Sequence, residues 1–277
     1  MSDNILVTGA NGQLGTEFKK LLPNAIFAGV DVLDITDLDA VKNFVQKNSI
    51  KIIINCAAYT AVDKAEDEIE LAKKINEDGS RNLALSGAKI IHISTDYVFD
   101  GNNYKPYLPQ DKTNPISVYG RTKLAGELAV LENAKIAIIV RTAWLYSAHG
   151  NNFVKTMQRL GAEKETLNVV ADQIGSPTFA GDLAQAIVDI LPQINEANKG
   201  IYHYTNEGVC SWYDFAVKIM ELSGLNCKVN PIPSSAYPTK ATRPFYSVLD
   251  KTSIKEIFGI VIPHWEYGLK RCLKQLV

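Results

Sequence analysis

The chain has 277 residues, 46% of them hydrophobic, and a formal net charge of −1. That length buries a sizeable core in one large or two modest domains. With Lys and Arg spread along the sequence, no basic face recommends nucleic acid or an acidic membrane as a partner. The longest apolar runs, such as 136–140, are strand-sized, which argues against a membrane span; the chain enters a strand almost at once, which leaves no signal peptide and points to the cytoplasm.

Cys56, Cys210, Cys227 and Cys272 are scattered without a C-x-x-C pair, so free thiols are expected rather than a disulfide framework or a zinc knuckle. The histidines are equally dispersed. His92 and His203 fall in strand-like runs, where a satisfied structural histidine outweighs a metal ligand, and no zinc site is expected.

In chain order, the apolar run Ile5 to Thr8 leads into Gly9-Ala10-Asn11-Gly12-Gln13-Leu14-Gly15 and then a helix-like stretch over 16–22. Strand, glycine turn and helix in this order suit a dinucleotide pyrophosphate. Glycine permits positive φ and close backbone approach, and the helix start offers unpaired N–H groups and the positive end of its dipole. The spacing G-x-x-G-x-x-G departs from G-x-G-x-x-G; it marks either a neighbouring variant of the dinucleotide fold or an ordinary glycine-rich turn. A second apolar run, 26–30, closes on Asp31, about twenty residues beyond the glycines. An acid there accepts hydrogen bonds from the adenosine ribose and repels the extra phosphate of NADP, which favours NADH. It also reads as a plain loop acid, since Asp34, Asp37 and Asp39 crowd the same stretch.

Asp37 caps a helix expected through Asn48, with Leu38, Val41, Phe44 and Val45 on one face. The branched run within 51–58 suggests a parallel strand buried on both faces. Ala57 and Ala58 at its end serve either a cofactor lying across the sheet edge or plain packing. A helix over 68–86 and a strand over 89–94 continue an alternation that predicts right-handed βαβ units, with ligands at the C-terminal strand ends, where Thr95 and Asp96 lie. The loop 97–115, with three prolines, is long for a connection and is expected to border the substrate. Tyr119 and Lys123 open a helix running to about 132 and, at i and i+4, share one of its faces. A strand over 135–142 ends on Arg141, with Ala143 and Trp144 just beyond.

Past Gly150 the pattern loosens. Helices are expected near 152–160, 180–191 and 212–223 and strands at 167–171 and 201–205, after which Pro231, Pro233, Pro238, Pro244 and Pro263 break the chain into short pieces. The expected architecture is α/β: a doubly wound parallel, Rossmann-like sheet over 1–150, to which segments near 178–206 return. A smaller C-terminal α+β substrate lobe is formed mainly by 151–277.

The glycine turn Gly9 to Gly15, the stretch Ser94 to Phe99 and the stretch Tyr119 to Lys123 together resemble the extended short-chain dehydrogenase/reductase superfamily. Within it, Cys56 to Glu66, Arg141 to Tyr146, Gly150 to Phe153, Asp172 to Thr178 and Ser235 to Thr239 are similar to the dTDP-4-dehydrorhamnose reductase family, and the likeness covers nearly the whole chain. The resemblance implies NAD(P)H-dependent reduction of the C4 ketone of a dTDP-linked 4-keto-6-deoxy sugar, giving dTDP-L-rhamnose for polysaccharide biosynthesis. It makes Tyr119 the general acid, Lys123 the group that holds the nicotinamide ribose, and Thr95 the second donor to the carbonyl oxygen. The chemistry agrees: a tyrosine titrates near ~10 in water, so it is a proton donor at neutral pH, and a nearby ammonium makes the developing tyrosinate less costly.

By the same resemblance Gly12, Gln13 and Leu14, within the turn from Gly9 to Gly15, meet the pyrophosphate. Asp31 meets the ribose, Asp34 and Ile35 the adenine, and Ala58, Tyr59 and Thr60, beside Ala57, the cofactor's far half. Val62, Thr95, Asp96, Tyr97 and Trp144 face the sugar nucleotide, although Trp144 also suits a core aromatic. Some relatives bind Mg2+ through carboxylates at a dimer contact; Glu17 stands where one such ligand falls, but the others have no match, so no metal site is assigned and a homodimer is left open. Dehydratases of the superfamily carry a glutamate directly after the Thr-Asp pair, where this chain has Tyr97. The remaining alternatives are another sugar-nucleotide 4-ketoreductase, an epimerase that regenerates its bound cofactor, and a catalytically silent NAD(P)-binding regulatory subunit. The intact Thr95, Tyr119 and Lys123 weigh against the last.

Overall fold

The computed structural model describes residues 4–276. Branched apolar runs set its centre. β1 (Ile5–Thr8), β2 (Ile26–Ala28), β3 (Ile52–Asn55), β4 (Lys89–Thr95) and β5 (Ala137–Thr142) are separated by α1 (Gln13–Leu21), α2 (Leu38–Lys47), the short helices α3 (Val62–Ala65), α4 (Ile69–Lys73) and α5 (Gly79–Ala84), and α6 (Val118–Asn133). The strands pair in parallel, and successive side chains point to opposite faces. The aligned row Leu6, Ile53, Ile90 and Ala137 therefore enters a core shared with Val41, Val45, Leu83 and Val130 of α2, α5 and α6. The next row, Val7, Ile54, Ile91 and Ile138, enters the core on the other face. Both faces are covered, which is why these strands read as continuous apolar runs.

The chain then passes through β6 (Leu145–Tyr146), α7 (Phe153–Glu163), β7 (Thr166–Val170), β8 (Ile174–Gly175) and β9 (Thr178–Phe179). α8 (Ala180–Ile190) returns to the sheet beside Leu14 and Phe18 of α1, and β10 (Gly200–His203) adds a sixth parallel strand next to β5. β11 (Cys210–Ser211), α9 (Trp212–Ser223), β12 (Lys228–Ile232), α10 (Thr252–Phe258) and α11 (Trp265–Lys274) complete the order. β7 and β12 pair in parallel, and a third core of Val154, Met157, Leu167, Phe215, Ile219 and Leu269 joins α7, α9 and α11. The sheet order β10-β5-β4-β3-β1-β2 reverses between β1 and β3, where a crevice opens at the C-terminal strand ends.

The elements depart from the sequence reading where local hydrogen bonds override periodicity. β2 stops at Ala28 rather than Val30, because the Gly29 carbonyl accepts from the Val32 and Leu33 N–H groups and turns the chain; Val30 is 83% exposed. The helix expected over 68–86 contains a π-turn at Lys74–Asp78. The loop 97–115 borders the cleft only through Tyr97. Further on, Tyr107 stacks on Phe99 at 4.1 Å and its N–H bonds to the Val248 carbonyl, so the loop packs on the C-terminal part of the chain. The C-terminal stretch, expected as short pieces, holds α10 and α11. Pro263 precedes α11 without breaking it, and the His264 side chain accepts from the Glu266 N–H to cap the first turn. The four cysteines are free, and no helix among the described residues is long and apolar enough to cross a membrane.

Candidate active site

At the strand ends lies a cleft of about 760 Å³ that starts at the glycine turn. Gly9 has φ +65°, and a Cβ there would lie 2.6 Å from the Ala57 nitrogen; at Gly15 it would lie 2.4 Å from the Gly9 carbonyl oxygen. The turn thus brings β1, α1 and the end of β3 closer than any side chain allows. α1 begins after Gly12 with no side-chain cap, so the N–H groups of its first turn are left for a ligand, and Gly12, Gln13, Leu14 and Gly15 line the cleft. Gly29, Asp34, Ile35 and Thr36 line it after β2, and Ala57, Ala58, Thr60 and Val62 after β3.

Two expected residues lie elsewhere. Asp31 is exposed outside the cleft lining, its carboxylate against Gly29 beside the Asn11 amide. Tyr59 turns its hydroxyl outward to donate to Glu68 at 2.5 Å. Its backbone is clamped instead: Asn76 Oδ1 accepts from the Tyr59 N–H at 2.8 Å and Asn76 Nδ2 donates to the Tyr59 carbonyl at 3.2 Å. The π-turn delivers that amide to a fully buried position, where Gly126 of α6 leaves no room for a Cβ, 2.2 Å from the Asn76 carbonyl oxygen.

Thr95 ends β4, and Tyr119 and Lys123 lie one turn apart on α6, which Ser117 caps by accepting from the Gly120 N–H at 3.1 Å. All three side chains line the cleft, together with Asp96, Tyr97 and Trp144. Lys123 is 2% exposed, and its Nζ donates to the Ile93 carbonyl at 2.7 Å. Burial pulls its amine down to about 8 against the opposing pull of Glu127, one turn further along α6. Glu127 is itself buried and held by Arg141, with N···O distances of 2.9 and 2.7 Å, and Ser94 donates to it. Burial also pushes the Tyr119 phenol above its ordinary range, so its resting form keeps the proton. Asp96 is pushed up to about 6 by burial, although Thr95 Oγ1 donates to it at 3.0 Å; Oγ1 in turn accepts from the Tyr97 N–H at 3.2 Å.

A second cavity of about 710 Å³ adjoins the first, and Tyr97, Trp144, Phe153 and Trp212 line both. Trp144 has φ 49°, uncommon for a side-chain-bearing residue, and stacks on Trp212 at 3.6 Å. Gly175 makes room, since a Cβ there would come within 2.7 Å of the Trp144 ring. Lys164, Thr239 and Arg243 supply polar groups among Met157, Leu160, Leu167 and Val169. Arg243 donates to Asp63 at 2.7 Å and to the Tyr97 hydroxyl at 3.1 Å, joining the C-terminal part of the chain to the strand ends.

Several of these residues are absent from the sequence reading. Asn76 carries no signal, being one polar residue in the charged stretch from Lys73 to Arg81. Trp212 reads simply as the start of an amphipathic helix, and Arg243 has no local signal because its partners lie 146 and 180 residues away. Asn152 Nδ2 donates to Gln13 Oε1 at 2.9 Å, tying the segment before α7 to the start of α1. Glu17 is buried with His149 Nε2 at 3.7 Å, and among the described residues no group of three or more His, Cys, Asp or Glu side chains is placed to hold a metal.

Sheet topology and cleft define the class, a Rossmann-like dinucleotide-binding protein of the extended short-chain dehydrogenase/reductase kind. The chain belongs to the RmlD substrate binding domain family, whose model matches residues 3–277. It is 42% identical over 287 residues to the dTDP-4-dehydrorhamnose reductase of Aggregatibacter actinomycetemcomitans, covering 96% of this chain and 97% of that protein. The crystal structure of a dTDP-4-dehydrorhamnose reductase from Clostridium acetobutylicum is similar at a TM-score of 0.94 and 45% identity, covering 99% of each chain. That of the Bacillus anthracis enzyme in complex with NADP matches at a TM-score of 0.94 and 42% identity, covering 99% of this chain and 100% of that one.

Proposed function

We propose that this chain reduces the C4 ketone of dTDP-4-dehydro-L-rhamnose to dTDP-L-rhamnose. The observation that carries the reading is the convergence of Thr95, Tyr119 and Lys123 on the cleft that begins at the glycine turn. Reduction adds a hydride to C4 and a proton to its oxygen. When bound, NAD(P)H supplies the hydride. Tyr119, protonated at rest, gives its phenolic proton to the oxygen, and the Lys123 ammonium lowers the cost of the tyrosinate left behind. Thr95 has one hydroxyl proton, which it gives to Asp96; turned to the substrate oxygen, it stabilises charge that grows only in the transition state. Asp96 and Tyr97 then flank the sugar together with Val62 and Trp144.

The first-turn N–H groups of α1 fit a pyrophosphate, Asp34 and Ile35 fit the adenine end, and Ala57, Ala58 and Thr60 the nicotinamide half, with the Tyr59 backbone held by Asn76. Asp31 lies just outside the cleft lining, with its carboxylate beside Gly29, which lines it; from there it disfavours a second ribose phosphate, and NADH is expected to serve at least as well as NADPH. The second cavity takes the nucleotide of the substrate: aromatic faces suit the base, and Lys164 and Arg243 suit phosphates. The family reading puts the activity in the cytoplasm and makes a homodimer the assembly to look for by light scattering. The function is tested by incubating purified chain with NADH or NADPH and dTDP-4-dehydro-L-rhamnose. Substrate-dependent cofactor oxidation with dTDP-L-rhamnose as product is expected. Tight cofactor binding without turnover of any keto sugar contradicts it and favours the regulatory-subunit alternative.

A further inference from the structure

A polar row crosses three strands beneath the active site. Thr8, Asn55 and His92 are register partners on β1, β3 and β4, two residues beyond the apolar row Leu6, Ile53 and Ile90 and on the same face. Each is at most 1% exposed, so each buried polar atom needs a partner. Asn55 Oδ1 lies 3.1 Å from the Ala57 N–H, a group that only donates, and 2.7 Å from Thr8 Oγ1. This identifies the oxygen end of the amide, so the opposite end, Nδ2, is the donor to His92 Nδ1 at 2.9 Å. His92 Nδ1 is then the bare acceptor nitrogen of a neutral ring, and the ring proton sits on Nε2. Nε2 lies 3.5 Å from Lys123 Nζ. Burial and the neighbouring lysine keep the ring neutral, well below its ordinary titration range.

We propose that His92 is a positioning residue for Lys123: fixed as its Nε2–H tautomer by Asn55, it presents a proton to the lysine amine from inside the sheet, opposing the ammonium and hydrogen-bonding the neutral amine. The other groups around the amine are Cys56 from the end of β3, the Ile93 carbonyl of β4, and on α6 Tyr119 one turn earlier and Glu127 one turn later. Glu127 favours the ammonium, and Arg141 at 2.7 Å shares its charge. Burial and the histidine N–H act together against the charge, drawing the ionisation of Lys123 down toward neutral pH. The row from Thr8 to His92 thereby sets the alkaline limit of the reaction while touching neither cofactor nor substrate.

The proposal rests on the reductase reading for its consequence but not for its geometry, and two measurements separate the failures. The first needs no turnover: ¹⁵N spectra of the wild-type imidazoles show His92 as a neutral Nε2–H ring from pH 6 to 9, its shifts moving as Lys123 titrates. An Nδ1–H tautomer or a cationic ring overturns the proposal. The second is the pH profile of kcat/KM for wild type and His92→Asn, which keeps an acceptor oxygen near the place of Nδ1 and, being shorter, withdraws the ring N–H from Lys123. The variant's alkaline limb moves up by about one pH unit, a tenfold gain on the falling side, while its rate at pH 6.5 stays within about threefold of wild type. A limb at the same pH in the folded variant also overturns it, because a merely structural role lowers the rate at every pH. If His92→Asn does not fold, or wild type turns over no keto sugar, the ¹⁵N result alone decides.

Discussion

Tyr119 and Lys123 were readable from their spacing, because i and i+4 put two side chains on one helical face whatever the helix packs against. Their environment was not: burial moves the tyrosine up and the lysine down, and the groups that modulate the lysine come from β3, β4 and α6. On the proposed mechanism Tyr119→Phe removes only the proton donor, so turnover is expected to fall below a few per cent of wild type while the NADH dissociation constant, read by fluorescence titration, changes less than about threefold. A variant that keeps substantial kcat assigns the proton to another group. Asp31 and Tyr59 show the limit of reading residues one at a time. Both stand at the right count from their strands, yet one lies outside the cleft lining and the other faces Glu68, because side-chain direction in a loop depends on partners that spacing does not reveal.

The glycine turn and α6 carry the site. Strands β3, β4 and β5 followed from branched apolar runs, and the Asp37 cap from residue type alone, with its side chain accepting from the Ala40 N–H at 2.9 Å. The π-turn was invisible, since no local propensity marks it; in the fold it sets the Asn76 backbone tightly against Gly126. α11 was hidden by reading Pro263 as a breaker when it stands just ahead of the cap. Within the turn, two glycines separate folding from binding. Gly9→Ala places a methyl against the backbone of residues 56 and 57 at positive φ and destabilises the protein by more than about 2 kcal/mol in urea unfolding. Gly12 has φ −78° and a Cβ would sit 3.2 Å from the Gly9 carbonyl oxygen. Gly12→Ala therefore leaves stability within about 1 kcal/mol but weakens NADH binding at least tenfold, because the methyl occupies the approach of the pyrophosphate. Equal losses of stability in the two variants would mean the turn is not shaped for a ligand.

Across the molecule, the chain crosses between the parallel sheet and the third core more than once, with α8 and β10 returning to the sheet and α9 to α11 leaving it again in part. Parallel alternation made the sheet predictable; the second cavity was not, because its lining is gathered from 97, 144–173, 212 and 237–247. Arg243 ties these parts together through Asp63 and Tyr97. Arg243→Leu raises the KM for the sugar nucleotide about tenfold or more and leaves the NADH dissociation constant unchanged, as steady-state kinetics and fluorescence titration would show. A loss confined to cofactor binding would place the arginine's role in the first cavity.

On the proposed function, two adjoining cavities let contacts to the nucleotide hold the ketone against Thr95 and Tyr119, converting remote binding energy into orientation at C4. The most direct measurement compares NADH oxidation by the purified chain with dTDP-4-dehydro-L-rhamnose, with the free 4-keto sugar, and with the unepimerised dTDP-4-keto-6-deoxy-D-glucose. The expected kcat/KM for the first exceeds the others by on the order of a hundredfold or more, with kcat as well as KM worsened by loss of the nucleotide. Equal rates on all three would show that the site reads only a ketone and that the second cavity takes no part in holding the substrate.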